Sequence, residues 1–298
     1  MNFDIWGMGA SLTCEDPTDE ARAADIFKDV TLRIDLAVNR FRPDSELSRL
    51  NAEPGVAHHV SDTFAQVLDA ALLGARMTEG LCTPTVLGAL LAQGYDRDFD
   101  ELTHDIVSPT PAHAAPGLEN LSYDPAARTL RIAPGCLLDF GATAKALAAD
   151  LIAERLGGHG VCVEIGGDVA VRARRDGQPW VIGIADSERV GPDTPRIGLN
   201  HGGVATSSTL WRSWRTSDGG RRHHIIDPRT GTSATGPVVT ASVSASSAVI
   251  ANAFATAALI WGADAGFHLA QAGWSGRLVH ADGVVDYVGG WPAEGDSR

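Results

Sequence analysis

A chain of 298 residues with 44% hydrophobic and 20% charged residues and a mean hydropathy of −0.03 has the make-up of a folded protein with room for two lobes. Its formal net charge of −13 argues against a protein that tracks nucleic-acid phosphates, so an anionic ligand has to be gripped locally. Cys14, Cys82, Cys136 and Cys162 are widely spaced without a C-x-x-C, and the N-terminus lacks a basic and apolar leader; both fit reduced thiols in a cytoplasmic chain and exclude a disulfide framework or a zinc finger.

Residues 4–13 read as an opening strand. Thr18 is placed to cap a helix in which Ala23, Ile26, Val30, Ile34, Ala37 and Val38 recur at helical spacing, ending near Pro43. A second helix, capped by Ser61, gathers Phe64, Val67, Leu68, Ala71, Leu72 and Ala75 on one face and stops before Gly80. The stretch from Ser108 to Gly117 carries three prolines and is expected to be an ordered loop marking a boundary, which gives approximate lobes 1–115 and 118–298 with interleaved elements.

Beyond that loop, Leu118 to Tyr123 and Thr129 to Ala133 flank an Asp124-Pro125 turn in the manner of a hairpin. A helix from about Ala142 to Leu156 follows. Val161 to Ile165, Ala170 to Ala173 and Trp180 to Ile184 are expected strands, the first two joined by Gly166-Gly167 and the last two by a hairpin at Asp176-Gly177. Val238 to Ala245 alternates as a strand, and Arg277 to Val288 reads as a hairpin around Asp282-Gly283. Ser247 caps an apolar run to Trp261 that Asn252 and Thr256 make too polar to cross about 30 Å of hydrocarbon, so it is expected to be a core helix and no membrane span is expected.

The segment most suggestive of chemistry is RRHHIIDPRTG, Arg221 to Gly231: a strand that enters Asp227-Pro228 and a turn closed by Gly231, able to present His224, Asp227, Arg229 and Thr230. With Ile225 inside it, this block resembles the histidine motif of the FAD:protein FMN transferase (ApbE) family, and other blocks agree in the family's order. WGMGASLT, with Met8 and Gly9, looks like its opening strand; RFRPDSELSRLN, with Ser45, Ser48 and Asn51, resembles its serine-rich loop. MTEGLCTPTVLGAL, with Thr85, is similar to its T-x-G-x-x-x-P-T segment, Thr83 standing where an acid is usual. LDFGATAKALAAD resembles its lysine segment and keeps Lys145 in register, VEIGGDVAVRA (Glu164, Gly166, Gly167, Asp168) its I-G-G-D turn, and GVATSSTLWR (Thr206, Ser207) its A-T-S segment. IANAFATAALIWG looks like its A-D-A-x-A-T helix, with Asn252 where the family has Asp.

The resemblance implies an α+β fold, a duplicated T-fold-like unit of antiparallel-rich sheets flanked by helices, with FAD in the cleft between lobes. It implies that FMN passes from FAD to a Thr or Ser hydroxyl of an acceptor protein with release of AMP, His224 acting as general base, Asp227 orienting it and Lys145 meeting the phosphates. Magnesium would be held by the Ala144 carbonyl, Asn252 and Thr256, the last two sharing a helix face; with no charge at position 252 binding is expected to be weaker unless Asp139, Asp168 or Asp227 supplies a carboxylate. The departures leave two further readings open: an FAD-binding protein that transfers nothing, and a metal-dependent FAD pyrophosphatase.

Overall fold

The computed structural model describes residues 1–102, 106–158, 160–185, 191 and 194–292. The chain is α+β and divides into two compact units, each assembled from separate stretches: the first from Met1–Val30, Lys145–Trp211 and Gly236–Arg298, the second from Thr31–Ala144 and Arg212–Thr235. The segment from Ser108 to Gly117 has no regular element, as expected, and falls inside the second unit.

The first unit is built on an eight-stranded sheet: Asn2–Ile5 (β1), Met8–Cys14 (β2), Val161–Ile165 (β3), Asp168–Arg172 (β4), Gly202–Ser208 (β5), Val238–Ala245 (β6), Ser275–His280 (β7) and Val285–Val288 (β8). The strands lie in that order, every neighbouring pair antiparallel. β3 alternates, with Val161, Val163 and Ile165 inward, whereas β4 and β5 are buried along almost their whole length, as central strands covered on both faces are. The helix Ala248–Trp261 packs on β5 and β6, which is why it is apolar nearly all round. Its start is capped by Ser247, whose hydroxyl accepts the Ile250 N–H at 3.2 Å. Ala248–Ala272 taken together is long and apolar enough to cross a membrane by length and composition, yet most of it is buried in the unit, so the apolar run serves the core.

Three expectations for this unit need correction. The opening strand is two strands around Trp6-Gly7, whose φ angles of 53° and 68° suit a two-residue turn; tryptophan is a rare occupant of that backbone region, and so gave no turn signal. Thr18 is not the cap. Asp16 is, accepting the Thr18 N–H at 2.9 Å ahead of a short turn that runs into the helix Glu20–Val38, which ends well before Pro43. Trp180–Gly183 does not return onto β4, because β3 and β5 occupy both of its edges; it pairs with Arg196–Leu199.

In the second unit the helix Asp62–Met77 starts at Ser61 as expected and buries Phe64, Val67, Leu68, Ala71 and Ala75. Phe64 meets Phe140 edge-on at 5.6 Å between centroids. Leu121–Asp124 and Thr129–Ile132 form the expected hairpin and Ala57–His59 adds a third strand. The serine-rich loop contains a helix, Glu46–Ala52. A second small sheet joins Arg221–His223, Ser213–Thr216 and Ile106–Val107, and Ile226–Asp227 pairs with Thr232–Ser233 across the turn from Pro228 to Gly231. Trp214 anchors this sheet among Leu90, Tyr95, Leu102 and Ile226, its indole N–H donating to the Gln93 carbonyl at 2.9 Å.

Candidate active site

In the first unit a chain of polar groups runs from one helix to another through β4. Lys145, on the helix Ala144–Leu156, donates from Nζ to Asp168 Oδ2 at 2.7 Å, and lies 3.5 Å from the Gly166 carbonyl. Asn252, on the helix Ala248–Trp261, donates from Nδ2 to Asp168 Oδ1 at 2.8 Å. Asp168 is 1% exposed and Asn252 5%, so both are desolvated and held by these partners. Because a carboxylate only accepts, the amide nitrogen must face Asp168, which fixes the orientation of the amide. Its oxygen, Oδ1, is then buried without a hydrogen-bond partner, and leaving such an acceptor unmade costs about 1–3 kcal/mol. One turn on, the buried Thr256 hydroxyl lies 3.3 Å from that of Ser207.

That orphaned oxygen bears on a metal. An amide oxygen and a threonine hydroxyl on one helix face are hard, neutral donors of the kind magnesium or calcium accepts, so the residues present fit such an ion in type. They bring no charge, and no group of three or more His, Cys, Asp or Glu side chains able to hold a metal occurs among the described residues. Ala144, whose carbonyl was the third expected donor, opens the helix that carries Lys145.

The glycine turn before Asp168 is packed tightly. A Cβ on Gly166, whose φ is 55°, would lie 2.6 Å from Met8 Sδ and 3.5 Å from Lys145 Cδ, and the Gly166 N–H donates to the Gly9 carbonyl at 3.1 Å. The Gly167 N–H donates to Glu164 Oε1 at 2.8 Å; burial pushes that carboxyl above the usual glutamate range, with the N–H bond pulling back. Thr206 shares a 2.8 Å hydroxyl contact with Ser242 directly across β5 and β6. Met8, Gly9, Lys145, Gly166 and Asp168 are thus gathered at one end of the sheet.

In the second unit, the turn after Ile226–Asp227 is closed by backbone bonds from Thr230 and Gly231 to the Asp227 carbonyl, at 3.1 and 2.8 Å. The Asp227 carboxylate grips Arg229, taking Nε at 2.9 Å and Nη2 at 2.8 Å, which holds its pKa below the usual range against the burial that would raise it. Thr230 Oγ1 spans to the Asp227 carbonyl and to Thr232, and Ile225 is buried. His224 lies just ahead of the turn, with Nδ1 3.4 Å from the Arg212 carbonyl. A proton on Nδ1 would be directed there, leaving Nε2 as the basic nitrogen. Gly231 has φ 72°, and a Cβ there would collide with the His113 carbonyl. Gly231→Ala is therefore expected to destabilise the protein by at least about 2 kcal/mol, read by denaturant unfolding; an unchanged midpoint would refute the clash.

His223 is a second imidazole of different character. Nε2 lies 3.0 Å from the Ala234 carbonyl, while Nδ1 is buried with no partner, so a second proton would be stranded. Burial pushes its pKa below the ordinary 6.5. The unfolded chain then takes up the proton first. The stability supplied by the neutral ring is complete above pH about 7 and is lost as pH falls from about 6.5 through the folded pKa. Thermal midpoints measured from pH 7 to 5 should fall more steeply for the wild type than for His223→Gln; parallel profiles would exclude this assignment.

Other expected contacts of this unit are engaged in holding its backbone. Ser45 caps Glu46–Ala52 and its hydroxyl meets that of Ser48 at 3.0 Å; Ser48 in turn donates to the Arg42 carbonyl at 2.8 Å. Asn51 bonds both the N–H and the carbonyl of Leu138 at 2.8 Å, and the buried Thr85 hydroxyl lies 3.0 Å from that of Thr83. Sequence reasoning did not single out Arg40. Its guanidinium pairs with Asp139 at 3.0 Å and stacks over Phe41 and Tyr95, fixing the segment that leads to Lys145. The one available signal was an arginine next to a phenylalanine, which also describes many surface arginines. Asp139, considered above as a metal carboxylate, is committed to Arg40 and to the Gly141 N–H.

The chain is thus an α+β protein whose antiparallel sheet carries a tight glycine turn beside a Lys-Asp-Asn chain, and whose DP-x-TG turn follows closely on a histidine. The model of the ApbE family matches residues 7–277, and the chain belongs to that family. It is 28% identical over 275 residues to a Haemophilus influenzae protein named FAD:protein FMN transferase, covering 87% of this chain and 76% of that one. A Vibrio cholerae protein of the same name is 31% identical over 252 residues, covering 79% and 72%. Among solved structures, the ApbE protein of Thermotoga maritima superposes with a TM-score of 0.83 at 26% identity over 97% of this chain and 96% of the other.

Proposed function

We propose that this protein is an FAD:protein FMN transferase, joining FMN through a phosphoester to a Thr or Ser hydroxyl of an acceptor protein and releasing AMP. The observation that carries the reading is the Lys145–Asp168–Asn252 chain with its orphaned amide oxygen, found in a member of a family whose relatives bear that name. In the reaction the acceptor oxygen attacks the FMN-side phosphorus, the bond to the AMP oxygen breaks, and AMP leaves with the bonding pair. The hydroxyl proton passes to His224 Nε2. Lys145 answers negative charge on the phosphate oxygens, and Met8, Gly9, Glu164, Gly166 and Gly167 shape the turn on which a ligand backbone can lie. Thr206, Ser207, Ile225, Arg229 and Thr230 remain candidate contacts for FAD, whereas Ser45, Ser48, Asn51 and Thr85 act by ordering the backbone around them.

Asn252 Oδ1, the Thr256 hydroxyl and the Ala144 carbonyl would hold magnesium, whose charge would neutralise the phosphate being transferred. The cytoplasm is the location this reading favours, all four cysteines being free. Incubation with FAD, magnesium and a threonine-containing acceptor peptide tests the proposal: AMP should appear in step with flavin-labelled peptide. Free FMN with AMP and no label would favour a pyrophosphatase, and FAD retained intact would favour a binding protein.

Asn252→Asp probes the metal donors separately. The variant puts a carboxylate where the amide nitrogen now meets Asp168 at 2.8 Å, so without divalent ions it should lose about 1–3 kcal/mol. Magnesium should restore more stability to it than to the wild type. Equal magnesium-induced shifts in thermal midpoint would remove position 252 from the donor set.

A further inference from the structure

Asp150 has no part in the chemistry above, yet it joins the two helices that carry it. It lies on the same helix as Lys145, and its carboxylate oxygens accept the first two free N–H groups of the helix Ala248–Trp261: Ala248 to Oδ1 and Val249 to Oδ2, both at 3.0 Å. Burial pushes the Asp150 carboxyl upward, while the two N–H bonds favour its charged form. The same helix end is pressed onto β5 at Gly203, where a Cβ would lie 2.5 Å from the Ala248 nitrogen. Lys145 and Asn252, from the same two helices, meet again at Asp168. A closed circuit results: Lys145, Asp168, Asn252, down one helix to Ala248 and Val249, across to Asp150, and back along the other helix to Lys145.

We propose that Asp150 is a positioning residue that sets the spacing between the Ala144–Lys145 end of one helix and the Asn252–Thr256 face of the other. The proposal rests on the reading of these groups as cation and phosphate holders. The metal donors come from both helices, so a set that must converge on a small ion is sensitive to their spacing. Ser247 provides an internal control. Its hydroxyl caps the same helix, on the Ile250 N–H, but makes no bond to the helix that carries Lys145.

The test compares Asp150→Asn with Ser247→Ala in the full chain, measuring thermal midpoint, magnesium affinity by calorimetry with the metal alone, and FAD affinity by flavin fluorescence. Both variants should lose stability, since each leaves a helix N–H without its acceptor. Asp150→Asn alone should weaken magnesium binding by about tenfold or more, the scale seen when a group that orients metal ligands is removed. Magnesium affinity weakened equally in both variants, or unchanged in Asp150→Asn, overturns the positioning role. Asp150→Glu keeps the charge and both oxygens on an arm one methylene longer, and should lose metal affinity with less loss of stability. If Asn fails to fold, wild-type affinity in the Glu variant overturns the role. A wild-type protein that binds neither magnesium nor FAD would instead reject the function itself, and this role with it.

Discussion

Replacing His224 with alanine is expected to lower FMN transfer by about 10²–10⁴-fold while leaving FAD affinity within a few-fold of wild type, because a general base acts on the proton in flight and contributes little to holding the donor. The Arg212 carbonyl near Nδ1 favours the tautomer whose Nε2 can take a proton, and the Asp227–Arg229 pair keeps the following turn rigid. The side chain is half-buried, so its loss should cost the fold little. Flavin-labelled acceptor, resolved in a gel by fluorescence, is the direct measurement, with FAD titration as the control. A His224→Ala protein that labels acceptor at the wild-type rate would strip the residue of its role. One that no longer binds FAD would show that the imidazole works as a ligand contact.

Lys145→Met should have the largest effect on stability. It removes the ammonium from a carboxylate that is 1% exposed, leaving Asp168 with the Asn252 amide as its side-chain donor. Breaking a buried pair from one side typically costs about 3–5 kcal/mol; Lys145 retains 16% side-chain exposure, so about 3 kcal/mol is expected here. The same change should reduce transfer, since the charge proposed to answer the phosphates is gone. Lys145→Met with Asp168→Asn separates the two consequences: the double variant should regain much of the stability, both partners now being neutral, and none of the transfer. Full recovery of transfer would mean that Lys145 serves only Asp168. Denaturant midpoints and AMP release measure the two sides.

Much of the fold was legible because it is written in local pattern. Ser247 ahead of a nearly unbroken apolar run, the alternation of Val161 to Ile165, and Asp282-Gly283 between two alternating stretches each point to one element, and each is found. Pairing was harder to read. Nothing in Trp180–Gly183 says that its partner is Arg196–Leu199, because strand choice depends on which edges remain open once β3 and β5 have taken β4. The Glu46–Ala52 helix is a single capped segment inside a serine-rich run, where caps and turns share the same residues. For the candidate site, motif order located the residues but not how their polar atoms are used. Asn51 is spent on Leu138, Asp227 on Arg229 and Asp139 on Arg40, partnerships that a linear sequence does not display.

The way the chain is shared between the units has a consequence for how the molecule is made. β1 and β2 leave the ribosome first, but the large sheet needs β6, β7 and β8 from the last part of the chain, whereas every stretch of the second unit has been synthesised by Thr235. A nascent polypeptide halted before Val238 would hold β5 with an open edge toward the missing β6, and a strand meant to be buried in mid-sheet, left with unpaired N–H and C=O groups, invites pairing with another copy. Expression of N-terminal fragments should accordingly yield insoluble material, and chaperone demand should peak in the interval between Ser208 and Ala245.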